Sequence, residues 1–546
     1  MSDKKQSDVK QPGWLCKVWS WVKLWWLPIA ILLITSTGLA CALSIPQQVF
    51  ETPREPANDK SAPVLLAQSN LRLAFLYITG GAIAVMGLVE TFRKNNNEKL
   101  KNDQDKEKND RDHLRQVRAE RRERYTKAIE QLGNEKTSIR TGGIYTLTRL
   151  VDDWLEEESL PKVERLKEGQ VIINNLCAYI RSPFTLASYY DELSKDAPKT
   201  NGIYKDRKQD FYTDKAIFDS EADTRLSIIK EIHDRLQISE ENPWDSWSNF
   251  EYDFSGSIFF YPVDLTKSYY TKPVNFSRST YQDEANFTGS TYQDEANFSN
   301  STYQDEAYFS NSTYKSWAYF SNSTYQDEAN FTGSTYQGGA DFSRSTYQGE
   351  ADFSDSTYQG GADFRRSTYK SGSVFLGSIY KGGADFRDST YQWADFRRST
   401  YKDVTDFSGS IFYQKVYFGA DGDNSSFSRF TDCAPQFYDE TNHKNTLFGS
   451  PNNDFTVENG RGYPIYRNLE GLPLGCKFLT SEQKEYLADK FQEIEETNNK
   501  LREVKDPKEK EELLKKLRSL NEELHKWRKE ATTVKVEGAT SGEEDN

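Results

Sequence analysis

Histidine and methionine are almost missing from this 546-residue chain, at four and two copies. His113, His233, His443 and His525 are scattered, and no H-x-x-x-H or Cys/His cluster occurs. That argues against a zinc site, and no cofactor is expected. The five cysteines, Cys16, Cys41, Cys177, Cys433 and Cys476, form no C-x-x-C pair. An odd, sparse set fits free thiols in a reducing compartment better than a disulfide framework. Positive charge is not in excess either, since the formal net charge is −14. Direct nucleic-acid binding is therefore not expected, whereas a basic protein partner is compatible with the balance. Phosphate loop, zinc motif and nucleophile elbow are all absent. No catalytic or metal-binding residue is assigned, and the chain is expected not to be an enzyme. What abounds instead is aromatic: Tyr and Phe number 32 each. Something repetitive uses rings as its core.

Two long apolar runs stand near the start. Leu27 to Ile45 carries no charge and is long enough to cross a bilayer as a helix. Trp14, Trp19, Trp21, Trp25 and Trp26 precede it as an interfacial belt, with Lys17 and Lys23 beside them. Leu73 to Val89 is shorter, and its Gly80, Gly81 and Gly87 suit close helix packing. Five lysines precede the first span, and Arg93, Lys94, Lys99 and Lys101 follow the second. Positive-inside reasoning then puts both termini in the cytoplasm. The rival reading is a signal peptide cut after Ala40-Cys41-Ala42.

The expected order is a cytoplasmic N-terminus (1–26), a transmembrane helix (27–45), an external loop (46–70), a second transmembrane helix (71–92) and a charged helical stalk (93–124). An all-helical connector domain (125–240) follows. There Gly133 and the pair Gly142-Gly143 read as a break between two amphipathic faces. Arg140 reads as a turn or packing residue.

The middle of the chain keeps strict time. Phe276, Phe287, Phe298, Phe309, Phe320, Phe331, Phe342 and Phe353 are 11 residues apart. Tyr281, Tyr292, Tyr303, Tyr314, Tyr325, Tyr336, Tyr347 and Tyr358 each follow five residues later. The beat runs on to Phe418, with one 10-residue step at Phe396. Ala precedes most Phe by two, and Ser precedes each Tyr by two, so the unit is A-(D/N)-F-S-x-S-T-Y-Q-x-x. Aromatics at five-residue steps do not stay on one helical face, which rejects a supercoiled helix. A period this strong means stacked repeats that bury their core against their neighbours.

The unit resembles the motif A-(D/N)-L/F-x-x of the pentapeptide-repeat family over about 254–418. ERYTKAIEQLGNEK, GGIYTLTRL and NNLCAYIRSPF, within 121–184, are similar to the segment before the repeats in many bacterial membrane-attached members. The resemblance implies a right-handed quadrilateral β-helix over 250–418, with Phe and Tyr inward beside small Ala and Ser. It also implies an interaction role without assigned chemistry, at a bacterial inner membrane.

Outward charge divides the rod. From Tyr281 to Asn330, Asp283, Glu284, Asp294, Glu295, Asp305, Glu306, Asp327 and Glu328 are balanced only by Lys315. From Asp341 to Lys415, acids and bases are ten each. The eight acids form the candidate docking strip for a basic partner. Some family members mimic DNA and bind DNA gyrase, which is the alternative role. Beyond an irregular cap (419–475), Leu487, Phe491, Ile494, Asn498 and Leu501, then Leu513, Leu517, Leu520, Leu524 and Trp527, predict a helical hairpin or coiled coil over 481–530. It either folds back on the solenoid or joins two copies as a homodimer. A tail over 531–546 reads as disordered. The whole reads as a mixed fold: two transmembrane helices, helical connector, solenoid and hairpin. The expected function is a non-enzymatic scaffold on the inner membrane, an integral protein with two spans and most of its chain in the cytoplasm.

Overall fold

The computed structural model describes residues 14–50, 61–237, 247–419, 427–458, 460, 462–504 and 507–534. The first 13 residues, residues 51–60 of the predicted external loop, Asp506 and the predicted tail from 535 lie outside the described residues, as do the side chains of Trp14, Trp19, Trp21, Lys17 and Lys23. The chain falls into two units, Met1–Glu120 and Arg121–Asn546.

The first unit holds helix α1 (Trp14–Val49) and most of α2 (Ser61–Leu132). Both are long and apolar enough to cross a membrane. The second span and the charged stalk form one unbroken helix, in which Arg93–Glu90 and Arg111–Glu107 pair one turn apart. The glycines expected to bring the spans together do not do so. Space around Gly80, Gly81 and Gly87 is open, whereas a Cβ on Gly38 of α1 would collide with the Thr79 side chain of α2. Gly38 is the residue that admits the close approach.

The second unit begins with a helical domain: α3 (Thr137–Leu155), α4 (Lys162–Arg181), the short α5 (Tyr190–Leu193) and α6 (Lys208–Leu236). Its apolar faces follow helical spacing, and Ile144, Leu147, Leu150, Val151 and Trp154 of α3 are buried. The predicted break at Gly142-Gly143 is corrected. The chain turns at Gly133 to Lys136, and the glycine pair lies inside α3. Gly143 is a contact point, since a Cβ there would stand 2.8 Å from the Ala128 carbonyl of α2. Arg140 ties α3 to α6 through Glu221 at 2.6 Å. The buried Arg225 donates to the same Glu221 at 2.8 Å and to the Ile180 carbonyl at 2.7 Å, so one polar network joins α3, α4 and α6. Phe184 and Phe218 meet Phe260 at 5.1 and 4.9 Å, which covers the open start of the solenoid.

The solenoid is a stack of about eight four-sided coils. Each side is a short strand that pairs in parallel with strands one coil before and after, as Thr302-Tyr303 does with Thr280-Tyr281 and Thr324-Tyr325. The first face starts at Tyr252–Asp253, the second at Ile258–Phe259, the third at Val263–Asp264 and the fourth at Tyr269–Tyr270. The first and fourth faces are separate eight-stranded sheets, and the second and third merge into one of 16 strands. They merge because Thr368–Val374 and Thr390–Asp395 run straight through a corner. The residue missing from the 10-residue step is absorbed there by a register shift between Tyr369 and Gly372.

The unit maps directly onto this geometry. Phe276 stacks on Phe298 at 5.2 Å and Tyr281 on Tyr303 at 4.6 Å, close to the strand spacing. Neighbouring columns meet edge to face, as Phe276 does with Phe287. Every predicted core ring from Phe276 to Tyr358 is buried, each contributing roughly 1.5–3 kcal/mol. Ser279 Oγ donates to the Phe254 carbonyl, and its amide donates to Ser301 Oγ, so the small inward column satisfies its own backbone. Asn275 Oδ1 accepts from the Ser277 amide and turns the corner. The next residue is left-handed, whether Gly289 (φ 73°), Asn300 (60°) or Arg344 (57°).

The irregular segment does more than cap. Phe430, Phe437, Phe448 and Phe455 continue the four ring columns, stacking on Tyr401, Phe407, Phe412 and Phe418. Insertions at the corners hide this last coil from an 11-residue count. Helices α7 (Ser481–Glu503) and α8 (Pro507–Thr532) follow, α7 opening on a Thr480–Gln483 capping box. Leu487, Ile494, Leu501, Leu517, Leu520 and Leu524 form one cluster with Ile411 and Leu447, so the hairpin's apolar seam is buried against the solenoid.

Candidate interaction surfaces

Three surfaces of the solenoid differ in what they offer. The first is the corner between the second and third faces. The eight acids of the predicted strip do not share it. Asp283-Glu284, Asp305-Glu306 and Asp327-Glu328 each join a second-face strand to a third-face strand, one coil apart. Asp294-Glu295 joins the fourth face to the first and stands at the diagonally opposite corner. A repeat of 11 in a coil of 22 sends alternate pairs to alternate corners. The amides of Ala285, Ala307 and Ala329 donate to the carbonyls of Glu306, Glu328 and Glu350, so Glu284, Glu306, Glu328 and Glu350 form one column. Glu350 is the member that the predicted strip omits; counting by 22 finds it.

Among the described residues, no Lys or Arg pairs with Asp283, Glu284, Asp305, Glu306 or Glu350. Tyrosines answer two of them. Tyr308 donates to Glu306 at 2.5 Å, and Tyr190 of the helical domain donates to Asp283 at 2.7 Å. The hydrogen bond to Glu306 holds the Tyr308 hydroxyl above its ordinary range. Burial, then Asp283, raises Tyr190. Glu350 is itself raised, by burial and then by Asp352 and Glu328.

The second surface is a groove on the first face. Outward Asp341, Asp363, Asp385 and Asp406 run along it, and Gly361 and Gly383 leave its rim without side chains. Trp317 stands at one end, half exposed, with its ring over Gly339. Here charge alternates. Arg365 reaches Asp363 at 3.0 Å and Asp385 at 3.8 Å, and Arg387 reaches Asp385 at 2.6 Å and Asp406 at 3.6 Å. Burial, followed in the raising direction by Asp385, pushes the Asp363 carboxyl up to about 6.

The third surface is the second face, which is divided. In its early coils Thr280, Thr302 and Thr324 are half-buried; in later ones Thr346, Thr368 and Thr390 are buried. The hairpin makes the difference. Asn498 of α7 accepts from Gln348 at 2.9 Å, and Arg528 of α8 donates to Thr390 Oγ1 at 2.9 Å. Lys370 lies beneath α7 with its nitrogen buried and unbonded. Burial pushes it down to about 7 against the opposing pull of Glu495. Asn498, a core position by heptad spacing, is spent on the solenoid.

No family model, no curated protein and no solved structure matches this chain.

Proposed function

We propose that this chain is a membrane-anchored, non-enzymatic scaffold that offers the acidic corner of its solenoid to a basic protein partner. The observation that carries the reading is the column Glu284, Glu306, Glu328 and Glu350, one carboxylate per coil. Carboxylates stacked at strand spacing repel one another, so an unpaired column costs stability unless water or a cation-bearing partner meets it. The helical domain covers the start of the rod and the hairpin covers the later second face, yet among the described residues neither pairs a Lys or Arg with Asp283, Glu284, Asp305, Glu306 or Glu350. The four-sided coil and the A-(D/N)-F grammar support membership of the pentapeptide-repeat family. Two apolar helices support an anchor. The lysines before the first and after the second support placing the solenoid in the cytoplasm, on an inner bacterial membrane.

Co-purification from cross-linked membranes tests the reading. Partners of the wild type are compared with those of a variant carrying Asn or Gln at Asp283, Glu284, Asp305, Glu306, Asp327, Glu328 and Glu350. Asp294→Asn/Glu295→Gln, at the opposite corner, is the control. A discrete set lost only from the first variant supports docking. A partner list unchanged in both sinks it. Loss of DNA gyrase from the list would favour the DNA-mimic alternative instead.

A further inference from the structure

Between α8 and the second face lies a pocket of about 290 Å³ lined by Arg344 and Arg366 of the solenoid and by Glu522, His525, Lys526 and Arg528 of α8. Four cations face one carboxylate. Arg528 is 1% exposed. Its Nη1 donates to Thr390 and its Nη2 to His525 Nδ1 at 2.7 Å, while its Nε has no partner. No carboxylate pairs with Arg528 among the described residues. Asp388 is the carboxylate whose charge acts most on Arg528, but both its oxygens are held by Lys444, at 2.5 and 2.6 Å. Burial holds Arg528 down to about 10, and burial, Arg528 and Arg366 hold His525 down to about 4. The imidazole is therefore neutral and accepts from Arg528 rather than adding charge.

A guanidinium taken out of water without a counter-charge is costly, and natural sites pair it. The surroundings worsen the cost. The amide of Arg344 donates to the carbonyl of Arg365, which sets Arg344 and Arg366 one above the other on adjacent coils. Both are exposed at the pocket mouth, and neither forms an ion pair among the described residues. Two flexible arginines at the mouth, a lysine on the wall and a buried arginine at the back match a compact oxyanion with more than one charge, which guanidinium forks bind by paired hydrogen bonds.

We propose that this pocket binds a small phosphate-bearing molecule, whose phosphate bridges Arg528 and Lys526 of the hairpin to Arg344 and Arg366 of the solenoid. Because its two walls belong to different elements, the anion favours the docked hairpin over an undocked one. Ligand binding and hairpin docking are therefore linked. The acidic corner plays no part, so this proposal stands or falls apart from the scaffold reading.

The test is calorimetric titration of the full chain in detergent with inorganic pyrophosphate, against potassium chloride at matched ionic strength. Saturable binding at one equivalent is expected, together with at least tenfold slower hydrogen exchange in α8. The double variant Arg344→Asn/Arg366→Asn should bind at least tenfold more weakly. Asn occupies the same left-handed corner at Asn300 and Asn322, so the turn is kept. An unchanged thermal midpoint without ligand confirms that this variant is folded. Arg528→Met should abolish binding, and the double variant carries the test if Arg528→Met does not fold. Absence of saturable heat in the wild type, or equal affinity in the folded double variant, overturns the proposal.

Discussion

From Glu284 to Glu350 the acidic corner stacks four carboxylates, and among the described residues Glu284, Glu306 and Glu350 have no Lys or Arg partner. From Asp363 to Asp406 the first face stacks three, with Arg365 and Arg387 threaded through. The ring columns and the serine ladder run through both regions. A solenoid repeats each outward position at strand spacing, so whatever charge stands there meets its own copy. Alternation turns that repetition into a structural ladder. A column left unpaired has been kept for another use, or kept only for solubility.

The largest effect tests whether the shared core is indifferent to this outer charge. Phe309→Ala in the acidic half and Phe386→Ala in the paired half should each cost about 3–5 kcal/mol in denaturant unfolding. Both rings are fully buried in equivalent columns. Losses that differed several-fold would show that the halves do not share one core.

Charge removal should then act with opposite sign in the two regions. Arg387→Gln leaves Asp385 and Asp406 facing each other and should cost about 1 kcal/mol, since the pair is only partly buried. Glu306→Gln relieves a like-charge column and should stabilise by a few tenths of a kcal/mol. The sign, read from paired unfolding curves, is the decisive quantity, and a shared sign would erase the contrast.

A smaller effect lies inside. The hydroxyls of Tyr281, Tyr303 and Tyr380 are buried without a hydrogen-bond partner. Tyr303→Phe should therefore be neutral, within about 0.5 kcal/mol, or stabilising. A loss beyond 1 kcal/mol in the same assay would show that the hydroxyl is satisfied after all.

The titration of Asp363 is read separately from the unfolding series. Its folded value, about 6, lies above the ordinary carboxyl range. Its contribution to stability is therefore complete below pH of about 4 and is lost as pH rises through about 6. Carbon NMR of the labelled carboxyl should report a midpoint near 6, and a midpoint near 4 would place Asp363 in open water.

Much of this architecture was legible. Phe276 to Phe418, counted by 11, yields the inward rings, and the two apolar runs yield α1 and α2. The Leu487 and Leu513 series yield α7 and α8. The break at Gly142-Gly143 was misread because glycine both ends helices and admits close neighbours; here Ala128 needed the room. The coil built on Phe430, Phe437, Phe448 and Phe455 was not legible, because its rings are separated by corner insertions of unequal length. Of the candidate strip, Asp294 and Glu295 were grouped with residues from which the coil separates them. Nothing in the sequence joined Arg528 to Arg344.

The sequence by itself determined the coil. An aromatic every five or six residues, with a small residue two before it, admits one way to bury every ring, and each unit needs only its neighbours to do so. Tertiary structure alone decided what the coil's surface became. Closure at 22 residues chose which acids stand together, and the docking of α7 and α8 chose which threonines are covered and which arginines share a pocket. The docking depends on contacts between distant segments, such as Gln348 with Asn498, 150 residues apart, and no local periodicity encodes it.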